Sequence, residues 1–278
     1  MGYRKPPPLT PTERAMPLAK YYDIPLCPPD PLTCQVLADG PIRPADALDP
    51  EHFSDLILDP GVYHEVETGY CMLEDHIGYL AVYKHSDPRV TPEMSRWYMQ
   101  WQNFYPGSSA PGEGNLRYKL WMPLDHIDHH YVNGKDRTDG VYSLETLDLG
   151  GGEKPIGSIH HRFRTQEYEA LGVDRRLLDR LAETGCQLRI AWESFDIPGS
   201  HFCVSLTRPS PFGGTEELCR EWIGLKPVNG KLVRDPFAPV CDSYLRNVIL
   251  HNTMESQHLG AFLPQLYAEY KDQPLDAD

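Results

Sequence analysis

The chain has 278 residues, enough for one large domain or for a domain of about 200 residues with a smaller unit beside it. Its 40 acidic and 26 basic residues give a formal net charge of -14, which disfavours nucleic acid and anionic membranes as partners. No apolar run reaches the ~18 residues of a membrane helix, and residues 1–20 lack the apolar stretch of a secretory signal. The seven cysteines form no CxxC pair. We therefore expect a cytoplasmic protein with reduced thiols.

Prolines are concentrated near the N-terminus. Thirteen of the 27 lie in residues 1–60, whereas a whole chain of this length would carry about 14 at the usual ~5%. Because runs such as Pro6-Pro7-Pro8 fit neither a helix interior nor a central strand, we predict an extended arm with turns over residues 1 to about 50. The arm is either a flexible tail or a segment that embraces a second subunit.

The body of the chain is predicted to be rich in strands. Apolar, aromatic or alternating segments predict strands or buried segments at 69–73, 77–83, 116–122, 187–195, 201–206 and 219–225. The Asn-Gly pair at 229–230 predicts a hairpin. A helix is predicted to begin at Pro92, with Thr91 as its cap, and to stop before Pro106. A second helix is predicted over 174–185.

The last predicted element is an amphipathic helix from 242 or 243 to about 263, which Pro264 ends or kinks. One face carries Val248, His251, Glu255, Leu259, Phe262 and Leu266. His251 and Glu255 are at i and i+4, where Cβ atoms lie ~5–6 Å apart, so both side chains can bind one zinc ion. The alternative is a simple His–Glu hydrogen bond, but an unpaired carboxylate on an apolar face is costly.

A second polar cluster occupies residues 125–130, Asp-His-Ile-Asp-His-His. It is either a polar turn or the source of a further metal ligand. In an extended segment, His126, Asp128 and His130 would share one face and His129 would point the other way.

A further carboxylate is available at Glu153, beside a glycine-rich loop, or at Glu145. A set of two histidines and two glutamates can leave room for water on zinc, which suits hydrolysis of a polarised carbonyl. The chain has no GxSxG, HExxH, Walker or GxGxxG motif. His201 begins a predicted strand and is a candidate proton donor, whereas His160 and His161 are interpreted as ordinary strand or loop histidines.

The order of these residues resembles the diacetylphloroglucinol hydrolase and phloretin hydrolase family over most of the chain. Tyr118, His126 eight residues later, His129 three residues further and the segment 251–255 carry the resemblance. It implies an α+β fold, with a Bet v 1-like helix-grip domain at 73–278, in which a curved antiparallel sheet surrounds a long C-terminal helix. A proline-rich region at 1–72 would precede this domain and serve in dimerisation.

The resemblance also implies roles for single residues. The implied zinc ligands are His126, Glu153, His251 and Glu255. Glu145 is the alternative to Glu153, because the spacing from His126 to Glu153 is a few residues shorter than in the family. Tyr118 and His129 would contact the substrate, and His129 stands where the family has asparagine. His201 corresponds to a histidine near the metal.

The function implied is that of a cytoplasmic, homodimeric, zinc-dependent hydrolase. It would cleave the carbon–carbon bond between an acyl group and a polyhydroxylated aromatic ring, by attack of metal-bound water on a small aromatic ketone. Tyr118 would hold a ring oxygen, with His129 as a further site residue, and either His201 or the metal-bound water would act as an acid. Two alternatives remain: a non-catalytic helix-grip carrier of an apolar aromatic ligand, and a polyketide cyclase or lyase on the same fold.

Overall fold

The computed structural model describes residues 5–104, 114–147, 154–197, 199–236 and 240–275. The α-helices within these ranges are α1 Pro11–Ala15, α2 Ala19–Tyr22, α3 Pro31–Asp39, α4 Pro92–Trp101, α5 Leu116–Lys119, α6 Arg175–Thr184 and α7 Asp242–Tyr270. The strands are β1 Gly69–Met72, β2 Gly78–His85, β3 His126–Tyr131, β4 Val141–Glu145, β5 Ile156–Arg162, β6 Gln187–Phe195, β7 Ser200–Pro209, β8 Thr215–Ile223, β9 Leu225–Val228 and β10 Lys231–Arg234. Short 3-10 turns lie at Pro44–Asp46, Pro50–Leu56, Glu74–His76, Gln102–Phe104, Thr165–Glu167 and Glu169–Leu171.

Eight strands form one antiparallel sheet in the order β1-β2-β8-β7-β6-β5-β4-β3. Strands β9 and β10 form a separate hairpin, and Asn229 and Gly230 at its tip have φ of 52° and 77°, as a two-residue hairpin turn requires. The fold is therefore α+β, with a large antiparallel sheet and a long C-terminal helix. No helix in the described ranges combines the length and apolar character needed to cross a membrane.

The two faces of the sheet have different partners. On one face, Cys203, Cys219 and Ile223 belong to the same buried cluster as Val248 and Ile249 of helix α7. The opposite face is covered by the 3-10 turn at 50–56 and by α6, in a cluster that includes Phe53, Leu181, Phe202 and Trp222. Because alternate residues of a strand face opposite sides, polar residues on the α7 side are enclosed between sheet and helix.

The predicted extended N-terminal arm is wrong. Prolines begin α1, α3 and the 3-10 turns at 44–46 and 50–56, where a missing N–H removes no helical hydrogen bond. Side chains of Thr10, Asp30 and Asp49 cap three of these elements. Four of the thirteen prolines in residues 1–60 therefore begin a helix or a 3-10 turn.

This N-terminal segment packs on its own chain. Leu18 and Tyr21 are buried in the cluster that contains Tyr98 of α4 and Phe262 of α7. The Tyr21 hydroxyl donates to Glu269 near the end of α7 at 2.7 Å. Strand β1, on the N-terminal side of position 73, forms an edge of the large sheet.

Most predicted strands and both internal helices are confirmed. Helix α4 has Thr91 as its cap and Pro92 at its first position, and α6 is capped by Asp174 and ends at Gly185. The strand predicted over 116–122 is wrong, because α5 occupies its first half. Asn115 caps this helix by accepting from the backbone N–H of Tyr118 at 3.1 Å.

Helix α7 also departs from its predicted end, since it continues past Pro264 to Tyr270. Proline at this position leaves the carbonyl of Gly260 without its helical N–H donor. The guanidinium of Arg89 donates to that carbonyl at 3.1 Å. An external donor therefore compensates the proline and allows the helix to continue.

Candidate functional site

The site lies where the β3–β4 edge of the sheet meets the middle of α7. His126 begins β3 and is paired in register with Glu145, the last residue of β4. His251 and Glu255 are one turn apart on α7, and both are buried although the helix ends are solvated. The sheet and the helix thus each present one imidazole and one carboxylate to the same space.

The polar atoms of these four side chains converge. The two imidazole Nε2 atoms are 3.2 Å apart. Glu255 Oε2 lies 3.7 Å from His126 Nε2 and 3.5 Å from His251 Nε2. Glu145 approaches the same two nitrogens at 4.0 and 3.9 Å. His126, Glu145 and His251 each offer a ligand atom within 4.8 Å of the others, so together they could hold a metal ion.

Both imidazoles are oriented by the nitrogen that faces away from this centre. His126 Nδ1–H donates to the backbone carbonyl of Tyr118 at 3.1 Å, and His251 Nδ1–H donates to Asp125 Oδ2 at 2.9 Å. Asp125 is itself buried and accepts from the hydroxyl of Thr146 at 3.1 Å. Metal-binding histidines characteristically have such a partner, which fixes the tautomer and leaves Nε2 for the ion.

The surroundings shift the pKa values of the two histidines in opposite directions. Burial and the neighbouring His251 lower the pKa of His126 well below its ordinary value. Burial also opposes charge on His251, but hydrogen bonds to Asp125 and Glu255 outweigh it and raise the pKa of His251 well above the ordinary value. The carboxylates around His251 thus favour positive charge at this point of the site.

Tyr118 is the residue of α5 closest to this centre. Its ring stacks on His126 with 3.7 Å between ring centroids, and its hydroxyl donates to Glu145. Burial and then the charge of Glu145 raise the pKa of this phenol well above its ordinary value. Tyr118 is therefore a neutral hydroxyl beside the metal-binding set, although it lies on a helix rather than on the predicted strand.

His129 lies on the same side as His126, which contradicts the expectation for a regular strand. The register shifts between His126 and Asp128, because an irregularity at this point breaks the two-residue alternation. His129 consequently stacks on Tyr118 at 4.5 Å, while Asp128 pairs with His130 at 3.6 Å. Of the three histidines in residues 125–130, His126 therefore lies in the metal-binding set and His129 lies beside it, on the ring of Tyr118.

The hydrogen bonds of His129 define its state. Its Nδ1 lies 2.9 Å from Ser143 Oγ and its Nε2 lies 3.4 Å from the amide nitrogen of Gln102. Because an amide N–H can only donate, Nε2 accepts and Nδ1–H donates to the serine. Burial lowers the pKa of His129 well below its ordinary value, so the ring is neutral, with one donor and one acceptor.

His201 belongs to a different part of the same face. It lies on β7, which is four strands from β3 in the sheet order. Its Nε2 is 2.9 Å from Glu221 Oε2 and its Nδ1 is 3.7 Å from Glu193 Oε2. Among the described residues, the ion-pair partners of His201 are these two carboxylates, and the metal-binding imidazoles are not among them.

Sequence reasoning missed the partners of the site residues. Asp125 was seen only as part of a polar run, and Glu193 and Glu221 were not singled out, although polar residues at alternate strand positions were a usable signal. His160, interpreted as an ordinary histidine, is bound to Glu193 at 2.8 Å. Glu153 lies outside the described residues, whereas Glu145 is in place beside the two imidazoles.

A thiol pair on β7 and β8 forms a second cluster of possible donors. Cys203 and Cys219 have sulfur atoms 3.6 Å apart, and Cys219 Sγ is 3.3 Å from Glu221 Oε1. The charges of Lys84 and Arg189 act on this pair, and they oppose a further cation there. We therefore assign no metal to the thiols.

Comparison with known proteins points to one family. The family model described as "DAPG hydrolase PhiG domain" matches residues 51–268. The 2,4-diacetylphloroglucinol hydrolase of Pseudomonas protegens is 26% identical over 284 residues, covering 92% of this chain and 85% of its own. The phloretin hydrolase of Eubacterium ramulus is 24% identical over 286 residues, covering 94% of this chain and 92% of its own. Both names are those of hydrolases, and the matches span most of the chain.

Proposed function

Since the chain belongs to the DAPG hydrolase PhiG domain family, we propose that it hydrolyses the carbon–carbon bond between an acyl group and a polyhydroxylated aromatic ring. The substrate class is a phloretin-type or acylphloroglucinol-type ketone, as the names of the relatives indicate. The observation that carries the proposal is the convergence of two imidazole Nε2 atoms with two carboxylates between sheet and helix.

We propose zinc as the cofactor. Two nitrogens bound to one tetrahedral zinc at ~2.0–2.1 Å lie about 3.3 Å apart, and the Nε2 atoms of His126 and His251 are 3.2 Å apart. Glu145 and Glu255 would complete the ligand set, and their charges would balance a divalent ion. Glu153 remains the alternative to Glu145. Zinc would polarise the acyl carbonyl and supply a hydroxide nucleophile at neutral pH.

The chain's own residues would act on the aromatic ring. Breaking the bond leaves an electron pair on a ring carbon, which is tolerable only if the ring is held as a keto tautomer, so that the pair becomes an enolate. The Tyr118 hydroxyl, which donates to Glu145, would hold a ring oxygen beside the proposed zinc. His129 would offer a second contact to a ring hydroxyl, and His201 would give a proton to the ring carbon to form that keto tautomer.

The architecture of the family implies the remaining assignments. We propose a Bet v 1-like helix-grip domain, which the large antiparallel sheet and the long helix α7 support. Because strand β1 at Gly69–Met72 belongs to the same sheet, we propose that this domain begins at or before Gly69 and not at residue 73. We further propose that residues 1–72 contribute to a homodimer in the cytoplasm. The substrate would then occupy the space between the sheet and α7.

The test is a product assay in ¹⁸O-water. Phloretin and mono- and diacylphloroglucinols are incubated with the zinc-loaded protein, and released phloroglucinol and carboxylic acid are quantified. Hydrolysis places one solvent oxygen in the new carboxylate, whereas a cyclase or lyase does not. Tight binding of these ketones with no product would identify a carrier and contradict the proposal.

A further inference from the structure

A row of titratable side chains crosses the sheet from His160, on which the charge of Glu145 acts, toward β8. His160 on β5, Glu193 on β6 and His201 on β7 are direct cross-strand neighbours, since His160 pairs with Glu193 and Glu193 pairs with His201 in register. Residues opposite each other in antiparallel strands have Cβ atoms ~4.5–5.5 Å apart on one face. The three side chains therefore form a continuous line beneath α7.

Glu193 uses both carboxylate oxygens in this line. Its Oε1 is 2.8 Å from His160 Nδ1, and its Oε2 is 3.7 Å from His201 Nδ1. The row ends on Ser158, whose hydroxyl is 3.2 Å from His160 Nε2, and on Glu221, which is 2.9 Å from His201 Nε2. The His201 ring thus stands between two carboxylates, one on each neighbouring strand.

The Nε2–H of His201 is buried and is not in line with any acceptor among the described residues. Its short distance to Glu221 is therefore an ionic contact and not a well-formed hydrogen bond. Because this contact is poorly aligned, an acceptor on the substrate would compete with Glu221 for the Nε2–H of His201.

We propose that Glu193 is the positioning residue of the proton donor: bridging His160 and His201, it holds the His201 ring in place and in its cationic form, so that Nε2–H can be given to the substrate. The inference rests on the proposed function, in which His201 protonates the ring carbon.

The charges around the row agree with this assignment. Burial opposes charge on His201, but Glu221 and Glu193 outweigh it and raise the pKa of His201 well above its ordinary value. Burial opposes charge on Glu193 as well, yet His160 and His201 bring its pKa well below the ordinary value. A carboxylate between two imidazoles is thereby kept ionised, which is the state that can stabilise an imidazolium.

Other elements also place charged or titratable groups against the row. The positive charge of Lys84 on β2 acts on Glu221 of β8. The charge of His201 acts on Cys203 of the same strand, β7. From α7, Tyr244 faces Glu193, Glu145 and Glu221, whose charges add to burial in raising the pKa of that phenol. Arg189 lies on the same strand as Glu193. Of these, Glu193 alone joins His201 to a second imidazole.

The proton balance is simple. One water molecule and the ketone give the ring with a new C–H bond and a carboxylic acid. His201 Nε2–H gives its proton to the acyl-bearing carbon of the ionised ring, which forms the keto tautomer. When the acyl–ring bond then breaks, its electron pair becomes the enolate of the product. The neutral imidazole is then recharged by the proton released from the attacking water, so no oxidant or further reactant is needed.

The test compares Glu193→Gln with Glu217→Gln in the zinc-loaded protein. Glutamine at 193 keeps the shape but removes the charge, whereas Glu217 is a half-buried carboxylate on β8 that pairs with Lys84 and Arg189. In Glu193→Gln we expect kcat to fall about 10²-fold, the size typical of losing a general acid, with KM and zinc content unchanged. Glu193→Asp, which retains the charge, should recover part of kcat, and Glu217→Gln should retain wild-type kcat.

A second readout does not depend on turnover. In ¹⁵N-histidine NMR spectra, the His201 titration should move to lower pH in Glu193→Gln, because the ring loses an anionic neighbour, and the alkaline limb of kcat should move with it. An unchanged His201 titration, or a kcat loss accompanied by loss of zinc, would overturn the inference. If the wild-type protein cleaves none of the ketones, the proposed function fails, while the NMR comparison still decides whether Glu193 holds His201 cationic.

Discussion

Asp125 offers the sharpest perturbation of the proposed zinc site, because it touches the site without supplying a ligand. Its side chain is almost completely buried and accepts the Nδ1–H of His251 at 2.9 Å. The substitution Asp125→Asn keeps the size of the side chain and an acceptor oxygen but removes the negative charge. His251 Nε2 then becomes a weaker base and a weaker ligand.

Two comparisons give the loss of zinc affinity expected for Asp125→Asn. A hydrogen bond to a charged group contributes about 1.5–3 kcal/mol in a protein, and Asp125 makes one such bond to His251. Losing an outer partner of a metal-binding histidine typically weakens metal binding about 10–100-fold, which equals ~1.4–2.7 kcal/mol. We therefore expect the zinc Kd of Asp125→Asn to rise by about one to two orders of magnitude.

The assay is a competition titration against a chromophoric chelator at fixed pH. The control is Asp235→Asn, which changes a buried acid that accepts from Ser200 at 2.9 Å and is not a partner of His251. A wild-type zinc Kd in Asp125→Asn, or an equal loss in Asp235→Asn, would refute the reasoning that Asp125 acts through His251.

Three further predictions address catalysis and stability. Tyr118→Phe removes the hydroxyl that donates to Glu145, and steady-state kinetics should report a kcat lowered about 10²-fold with zinc content retained; unchanged kcat would exclude Tyr118 from the chemistry. Gly260→Ala should lower Tm, because the added Cβ would lie 2.6 Å from Asp87 Cβ. This clash should outweigh the ~1 kcal/mol by which alanine favours a helix over glycine. A higher Tm would mean that movement of Asp87 relieves the clash. Glu216→Ala leaves the buried Arg208 without the carboxylate it contacts at 2.7 Å, so urea unfolding should report a loss of about 3–5 kcal/mol, and a loss below ~1 kcal/mol, as for an exposed pair, would contradict this view of the pair.

Local signals in the sequence were sufficient for much of the fold. The caps at Thr91 and Asp174, the turn at 229–230 and the apolar stripe of α7 depend on residues within a few positions of each other. The His251–Glu255 pair was found for the same reason, since i and i+4 residues share a helix face wherever the helix lies.

The features that sequence reasoning missed depend on distant strands or on irregular backbone. The irregularity between His126 and Asp128 reverses the faces of the following residues, and the pattern of polar and apolar residues does not indicate it. The position of Glu145 opposite His126 depends on the register between two strands, which the separate strand patterns do not specify. Over 116–122 the alternation was real, but the burial of Leu116, Leu120 and Met122 does not distinguish a strand from a helix.

Metal removal and restoration test the central claim most directly. The zinc content of the protein is measured before and after dialysis against a chelator, and phloroglucinol release is measured in the same samples and after zinc is returned. Activity and zinc content should fall together and recover together, whereas Glu255→Ala should recover neither. Full activity in a sample shown to be free of metal would contradict the account.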